Sequence, residues 1–118
     1  MIVPGQAVRV VVATRPVDFR KGHDGLAAVA QNALGLDPHS GVIVIFRSKR
    51  GDRIKILVWD GTGLVLVYKR LEQGKFVWPQ VRDGVMRLSR AQCEALFEGL
   101  DWRRVHAASR VRRPSAAE

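Results

Sequence analysis

The 118 residues carry 20 Lys and Arg against 11 Asp and Glu, a formal charge of +9, on a chain long enough for one hydrophobic core and no second. A composition 47% hydrophobic and 26% charged is that of a folded domain rather than a disordered one, and so basic a balance points to a polyanionic partner: DNA, RNA or an acidic membrane surface. The lone Cys93 excludes an intramolecular disulfide and a multi-cysteine zinc site; no apolar run reaches the length of a membrane span; and a start interrupted by Pro4, Gly5, Gln6 and Arg9 does not read as a signal peptide, so a cytoplasmic protein is expected.

Residues 7–12 (AVRVVV) read as a strand, β-branched and preceded by Pro4-Gly5. A turn around Pro16 follows. Leu26, Val29, Ala30, Ala33 and Leu34 then recur at helical spacing, which predicts a helix over 23–34 with Gly35 at its C-terminal end. Residues 42–78 read as a meander of strands: Val42–Arg47, Arg53–Trp59, Leu64–Leu71 and Lys75–Trp78. Gly61-Thr62 suits a two-residue hairpin loop, and Glu72-Gln73-Gly74 a three-residue loop with left-handed Gly74. Pro79 ends the last strand because it has no N–H for a ladder. Val85–Leu88 is a candidate short strand. Ser89 and Gln92 are spaced as a capping box and open a helix running to Gly99. The expected fold class is therefore α+β: an antiparallel β-meander sheet with two helices packed on one face. Residues 1–104 form the domain, and 105–118 a basic tail without apolar periodicity.

Loop parity predicts what each sheet face carries. A loop centred on Arg50 aligns Val42, Val44 and Phe46 with Ile54, Ile56 and Val58, and Gly61-Thr62 adds Val65 and Val67. That apolar face is expected to carry the helices, with Val44, Phe46, Ile54, Ile56, Val58, Val67, Leu26 and Leu96 buried. The opposite face then receives Arg47, Arg53, Lys55, Tyr68 and Arg70, joined by Phe76 and Trp78. Two readings of the aromatics are open: a platform on which single-stranded bases stack, or a small second core. The other end of that face holds Ile43, Ile45, Leu57, Trp59, Leu64 and Leu66, a strip that another part of the chain or a second subunit is expected to cover.

Catalytic constellations are weak. Asp18, Asp24, Asp60 and Asp101 are scattered, two of them (Asp24 and Asp60) beside glycine, where Asp is an ordinary turn residue. Metal-dependent nucleic-acid cleavage needs several carboxylates converging on metal ions. His23, His39 and His106 lack ligand spacing, and Cys93 reads as a buried small hydrophobe. Neither cofactor nor metal is expected. The strongest signal is Arg47-Ser48-Lys49-Arg50-Gly51-Asp52-Arg53: four basic residues in a seven-residue hairpin tip, continued by Lys55, Lys69 and Arg70. Such a tip can run along phosphates, or it is a charged guard of strand edges. The candidate DNA-binding set is Arg47, Lys49, Arg50, Arg53, Lys55, Lys69 and Arg70, with Tyr68 and Trp78 as stacking residues.

The sequence resembles the TnpB-type accessory proteins of the IS-sixty-six family of bacterial insertion sequences over about residues 2–104. The matching stretches include Asp18-Phe19-Arg20-Lys21-Gly22, Arg50-Gly51-Asp52-Arg53-Ile54-Lys55, Trp59-Asp60-Gly61, Tyr68-Lys69-Arg70-Leu71-Glu72, Trp78-Pro79 and Asp101-Trp102. His23, where an aromatic is usual, and Ser48, inside the basic tip, depart from the pattern. The resemblance implies a protein that assists a separate, larger transposase carrying the strand-transfer chemistry. The expectation is a non-catalytic DNA-binding accessory factor. Its partners would be the element's DNA ends and the cognate transposase, with no membrane and with a homo-oligomer allowed. Two alternatives stand beside it. One is a protein–protein adaptor docking on the transposase through the strip around Leu57, Trp59 and Leu66. The other is a small metal-dependent nuclease using some of Asp18, Asp24, Asp60 and Asp101.

Overall fold

In a computed structural model of the chain, which describes residues 9–80 and 84–106, five strands form one mixed sheet. They are β1 (Val10–Ala13), β2 (Ile43–Arg47), β3 (Arg53–Trp59), β4 (Leu64–Arg70) and β5 (Val85–Leu88), in spatial order β4-β3-β2-β1-β5. Two α-helices accompany them: α1 (His23–Ala28), prolonged by a π-helical stretch Val29–Ala33, and α2 (Arg90–Phe97), followed by a 3-10 turn Trp102–Arg104. The fold is α+β, but the sheet is not a pure antiparallel meander. β1 runs parallel to β2 and antiparallel to β5. The physical reason lies in the connection: α1 stands between β1 and β2, and a helix-bearing crossover returns the chain in the same direction. β1 thereby becomes an interior strand, and its four residues are all buried.

The local signals form the structures their chemistry predicts. Ser89 caps α2 by accepting from Gln92 N at 3.1 Å, while the Gln92 side chain accepts from Ser89 N at 2.9 Å. The β3–β4 hairpin takes the expected register, with Ile56 opposite Val67 and Val58 opposite Val65. Its turn is held by Asp60, whose Oδ1 accepts from Thr62 N and Gly63 N, each at 3.0 Å. Residues 75–78 do not form the expected strand. They pair with no strand among the described residues; Phe76 N donates to Gly51 O at 2.9 Å, and Phe76 and Trp78 enter the core.

The β2–β3 register differs from the expected one by a single residue. Val44 pairs with Leu57 and Phe46 with Lys55, so Phe46 does not face the same way as Ile54. The cause is in the tip. Ser48 N donates to Arg53 O, Gly51 N donates to Ser48 O, and Gly51 adopts φ +80. A turn closed by a left-handed glycine carries one more residue than a loop centred on Arg50, and one residue moves every side chain to the other face.

Consequently the two helices lie on opposite faces of the sheet, not on one. Leu26 and Ala30, from α1 and its π-helical extension, pack with Val11, Ala13, Val44, Phe46 and Leu57. On the other face, Ala95 and Leu96 of α2, with Phe76, Trp78 and Trp102, pack against Val10, Val12, Ile43, Ile45, Ile54, Ile56 and Val58. Val44, Phe46, Ile54, Ile56, Val58, Leu26 and Leu96 are buried as expected, whereas Val67, on the edge strand β4, is half-buried. The apolar strip is covered within the chain: Ile43 and Ile45 by the α2 layer, Leu57, Leu64 and Leu66 by the α1 layer. Half-buried Val105 still packs on the α2-side core, and Gln92 Nε2 donates to its carbonyl at 3.0 Å. Of the tail expected from 105, residues 107–118 lie outside the described residues, as do residues 7 and 8 of the expected first strand.

Candidate nucleic-acid interface

The register shift divides the expected basic surface in two. Arg47 pairs with Ile54 and therefore points to the α2 face, while Arg53, Lys55, Tyr68 and Arg70 point to the α1 face. Trp78 and Phe76 lie with Arg47 and not with Tyr68. Of the two readings of the aromatics, Phe76 and Trp78 follow the second-core one, and no single face joins them to Tyr68, Arg53 and Arg70.

The α2 face carries a groove of about 430 Å³ at the hairpin end of the sheet. Its walls come from residues 14–16, from Arg47 and the tip residues 49–51, and from Lys75, Phe76 and residues 78–80. Backbone bonds hold the walls together: Val17 N to Arg47 O at 3.1 Å and Phe76 N to Gly51 O at 2.9 Å. Gly51 is buried, and a Cβ built on it would meet the Lys75 stem at 3.8 Å, so the left-handed turn also sets the tip beside Lys75. Among the described residues five basic side chains line this groove, Arg15, Arg47, Lys49, Arg50 and Lys75, and no carboxylate does. The Arg47 guanidinium lies 5.9 Å from the Trp78 ring centroid. Its Nε is buried without a hydrogen-bond partner among the described residues. The side chains of Lys49, Arg50 and Lys75 likewise make no hydrogen bond or ion pair with described residues. Lys49, Arg50 and Lys75, gathered here without ion pairs to described residues, raise the local potential for anions.

Lys55 and Trp78 have other duties. Lys55 is buried, 6% exposed. Its Nζ donates to Phe19 O at 2.7 Å and Lys21 O at 2.9 Å, and lies 5.1 Å from the ring centroids of both Phe19 and Tyr68. It ties the segment before α1 to the sheet, its ammonium turned to these two carbonyls. Replacing it by Met, of similar volume, is expected to destabilise the protein by about 1–3 kcal/mol through two lost charge-assisted bonds. The salt dependence of DNA binding should stay unchanged. A melting curve beside a salt titration checks both; a slope reduced by one would return Lys55 to the phosphate contacts. Trp78 is 8% exposed, and its Nε1 donates to Ala13 O at 3.0 Å, so it is part of the core rather than a stacking surface. Lys69 points to the α2 face, where its Nζ donates to Phe97 O at 2.6 Å and sits 4.5 Å from the Phe97 ring. A cation there offsets the carbonyl end of α2.

Arg53 and Arg70 stand directly opposite each other on β3 and β4. Arg53 Nη1 donates to the Tyr68 hydroxyl at 3.1 Å, and its Nε is buried without a partner among the described residues. Tyr68 is 48% exposed and packs edge-on to Phe19 at 5.7 Å. Sequence reasoning could not find the contribution of Arg15 and Lys75 to the groove, since only the crossover and the Gly74 loop bring them beside the tip.

Three of the four candidate acids, Asp18, Asp60 and Asp101, are engaged locally. Arg20 chelates Asp18 with its side chain and adds its backbone N–H, holding that carboxyl well below the usual range. The N–H groups of Thr62 and Gly63 lower Asp60, and the Arg103 side chain lowers Asp101. Among the described residues no three His, Cys, Asp or Glu side chains converge into a group able to hold a metal ion. Cys93 is half-buried in α2, and burial pushes its thiol up. No helix among the described residues is long and apolar enough to cross a membrane.

Residues 8–107 match the protein family described as IS66 Orf2 like protein. The chain belongs to the IS66 Orf2-like family. Two relatives from Sinorhizobium fredii (strain NBRC 101917 / NGR234) support the assignment. The uncharacterized protein y4jC is 47% identical over 115 residues, covering 98% of this chain and 97% of the relative. The uncharacterized protein y4hO is 42% identical over 103 residues, covering 87% and 90%. No solved structure matches. Membership makes this IS66 Orf2-like protein an insertion-sequence-associated protein, and its sheet, groove and hairpin tip all lie within the matched residues.

Proposed function

We propose that the protein is a non-catalytic accessory factor for movement of a bacterial insertion sequence, acting in the cytoplasm beside a separate transposase and holding DNA by its phosphodiester backbone. The gathering of five basic side chains, with no carboxylate among the described lining residues, is the observation that carries this reading. Its shape and charge suit a phosphate chain: Arg47 offers a planar fork against Trp78, and Lys49, Arg50 and Lys75 offer point charges around it. Phosphate contacts position a protein on DNA and carry no base information directly, which fits a helper whose specificity comes from its partner.

The test is equilibrium binding of the purified protein to duplexes bearing the element's terminal repeats and to unrelated duplexes, single strands and RNA, over a salt series. Three to four groove contacts predict a log–log slope of about −3 to −4 on duplex DNA, with little sequence preference. Absence of binding, or tighter binding to RNA, would overturn the reading.

The adaptor alternative loses the feature that motivated it, because Leu57 and Leu66 are covered by the α1 layer. Trp59 packs edge-on to His39 at 5.3 Å.

A further inference from the structure

The α1 face at the same end of the sheet carries an unexplained juxtaposition. Arg53 and Arg70 are direct cross-strand partners, and like charges set directly opposite each other destabilise a strand pair. The protein does little to neutralise them. Arg70 reaches Glu72 only at 3.4 Å, with 54% and 83% of the two side chains exposed, a separation and exposure at which an ion pair contributes little. Arg53 is tied to a neutral group, the Tyr68 hydroxyl, and its Nε has no partner among the described residues. Lys55 adds a third positive charge beneath the Tyr68 ring, with its ammonium engaged by the carbonyls of Phe19 and Lys21. A bound anion would relieve this repulsion, and two guanidinium forks side by side fit a phosphodiester.

We propose that Arg53 and Arg70 form a second phosphodiester site and that one protein molecule thereby holds two nucleic-acid backbones, one on each face of its sheet. The proposal rests on the DNA-binding reading of the groove. Its geometric basis is the one-residue register: Arg47 opposite Ile54 points to the α2 face, and Arg53 opposite Arg70 points to the α1 face. Side chains on opposite faces are separated by the sheet itself, so one phosphate cannot bridge them. The two backbones are those of two duplexes or of the two arms of a fork.

The experiment uses the full chain with two duplexes carrying donor and acceptor dyes, and in parallel a fork labelled on both arms. The expected result is energy transfer between the duplexes, or a change in the angle between the fork arms, with one protein per bridged complex by sedimentation. Arg53→Gln with Arg70→Gln should reduce that signal at least tenfold while changing affinity for a single duplex less than about threefold. Its melting temperature in DNA-free, low-salt buffer should be unchanged or higher, because a repulsive pair has been removed. Single-duplex binding with neither bridging nor a fork response would overturn the second site and leave the groove standing. Bridging that survives in the double variant, or that needs two protein copies, would overturn it in favour of an oligomer. Failure of the parent protein to bind any DNA would overturn the groove reading and this one with it.

Discussion

Trp78→Ala is expected to destabilise the protein by about 3–5 kcal/mol, the range for removing a large aromatic from a core, and to lower the melting temperature by about 12–20 °C for a chain of this size. Trp78 fills the α2-side core with Ile54, Ile56 and Trp102. It also satisfies Ala13 O, which terminates β1, across 3.0 Å, and the Arg47 guanidinium rests 5.9 Å from its ring centroid. Truncation therefore opens a cavity, leaves a buried carbonyl without that donor and releases a groove wall together. Trp78→Phe separates these effects. It keeps a ring for the core and for Arg47 but loses the N–H, with an expected cost of about 1–3 kcal/mol and near-parental DNA affinity. Thermal and urea unfolding beside single-strand binding decide the matter. A Trp78→Ala protein that melts like the parent yet no longer binds single strands would make the ring a stacking surface after all.

Simultaneous replacement of Arg47, Lys49, Arg50 and Lys75 by Gln is expected to remove most duplex affinity while leaving the fold intact. These side chains make no hydrogen bond or ion pair with described residues, so apart from the contact of Arg47 with Trp78, worth about 0.5–1 kcal/mol, little stability depends on them. Each phosphate contact on duplex DNA releases about 0.9 of a counterion. Four contacts therefore make parental affinity fall about a hundredfold between 50 and 200 mM salt. The variant should show a nearly flat dependence and weak binding throughout, with a melting temperature within a few degrees of the parent. Single replacements should each flatten the slope by about one and weaken all sequences alike. Loss confined to particular sequences would instead mean base readout by the tip. If the quadruple variant binds DNA as well as the parent but no longer binds the transposase, the groove is a docking surface and the adaptor reading takes its place.

The features legible in the sequence are those decided within a few residues of chain. The capping box of Ser89 and Gln92 depends on a three-residue spacing and two side chains, and it forms as spaced. The β3–β4 register follows from a short loop closed by Asp60 and Gly61, and it takes the expected pairs. The basic tip is legible for the same reason: Arg47, Lys49, Arg50 and Arg53 are neighbours in any fold. Family membership was legible too, carried by stretches such as Asp18–Gly22 and Arg50–Lys55 within the matched region.

Tertiary structure decided which of these residues can act together. Gly51 in a left-handed conformation adds one residue to the β2–β3 loop, and strand periodicity of two turns that single residue into an exchange of faces. Arg47 thus leaves Arg53, Lys55 and Tyr68 for the groove. Residues 75–78 could complete a ladder or cross over a sheet face with the same alternation; packing of Phe76 and Trp78 under α2 selects the second. Arg15 and Lys75 are 60 residues apart in the chain and meet across the groove only because the helical crossover makes β1 a parallel neighbour of β2. Local sequence determined where the cations are and how the hairpins turn. Long-range packing determined which face each cation serves, because a face is a property of the assembled sheet and not of any strand alone.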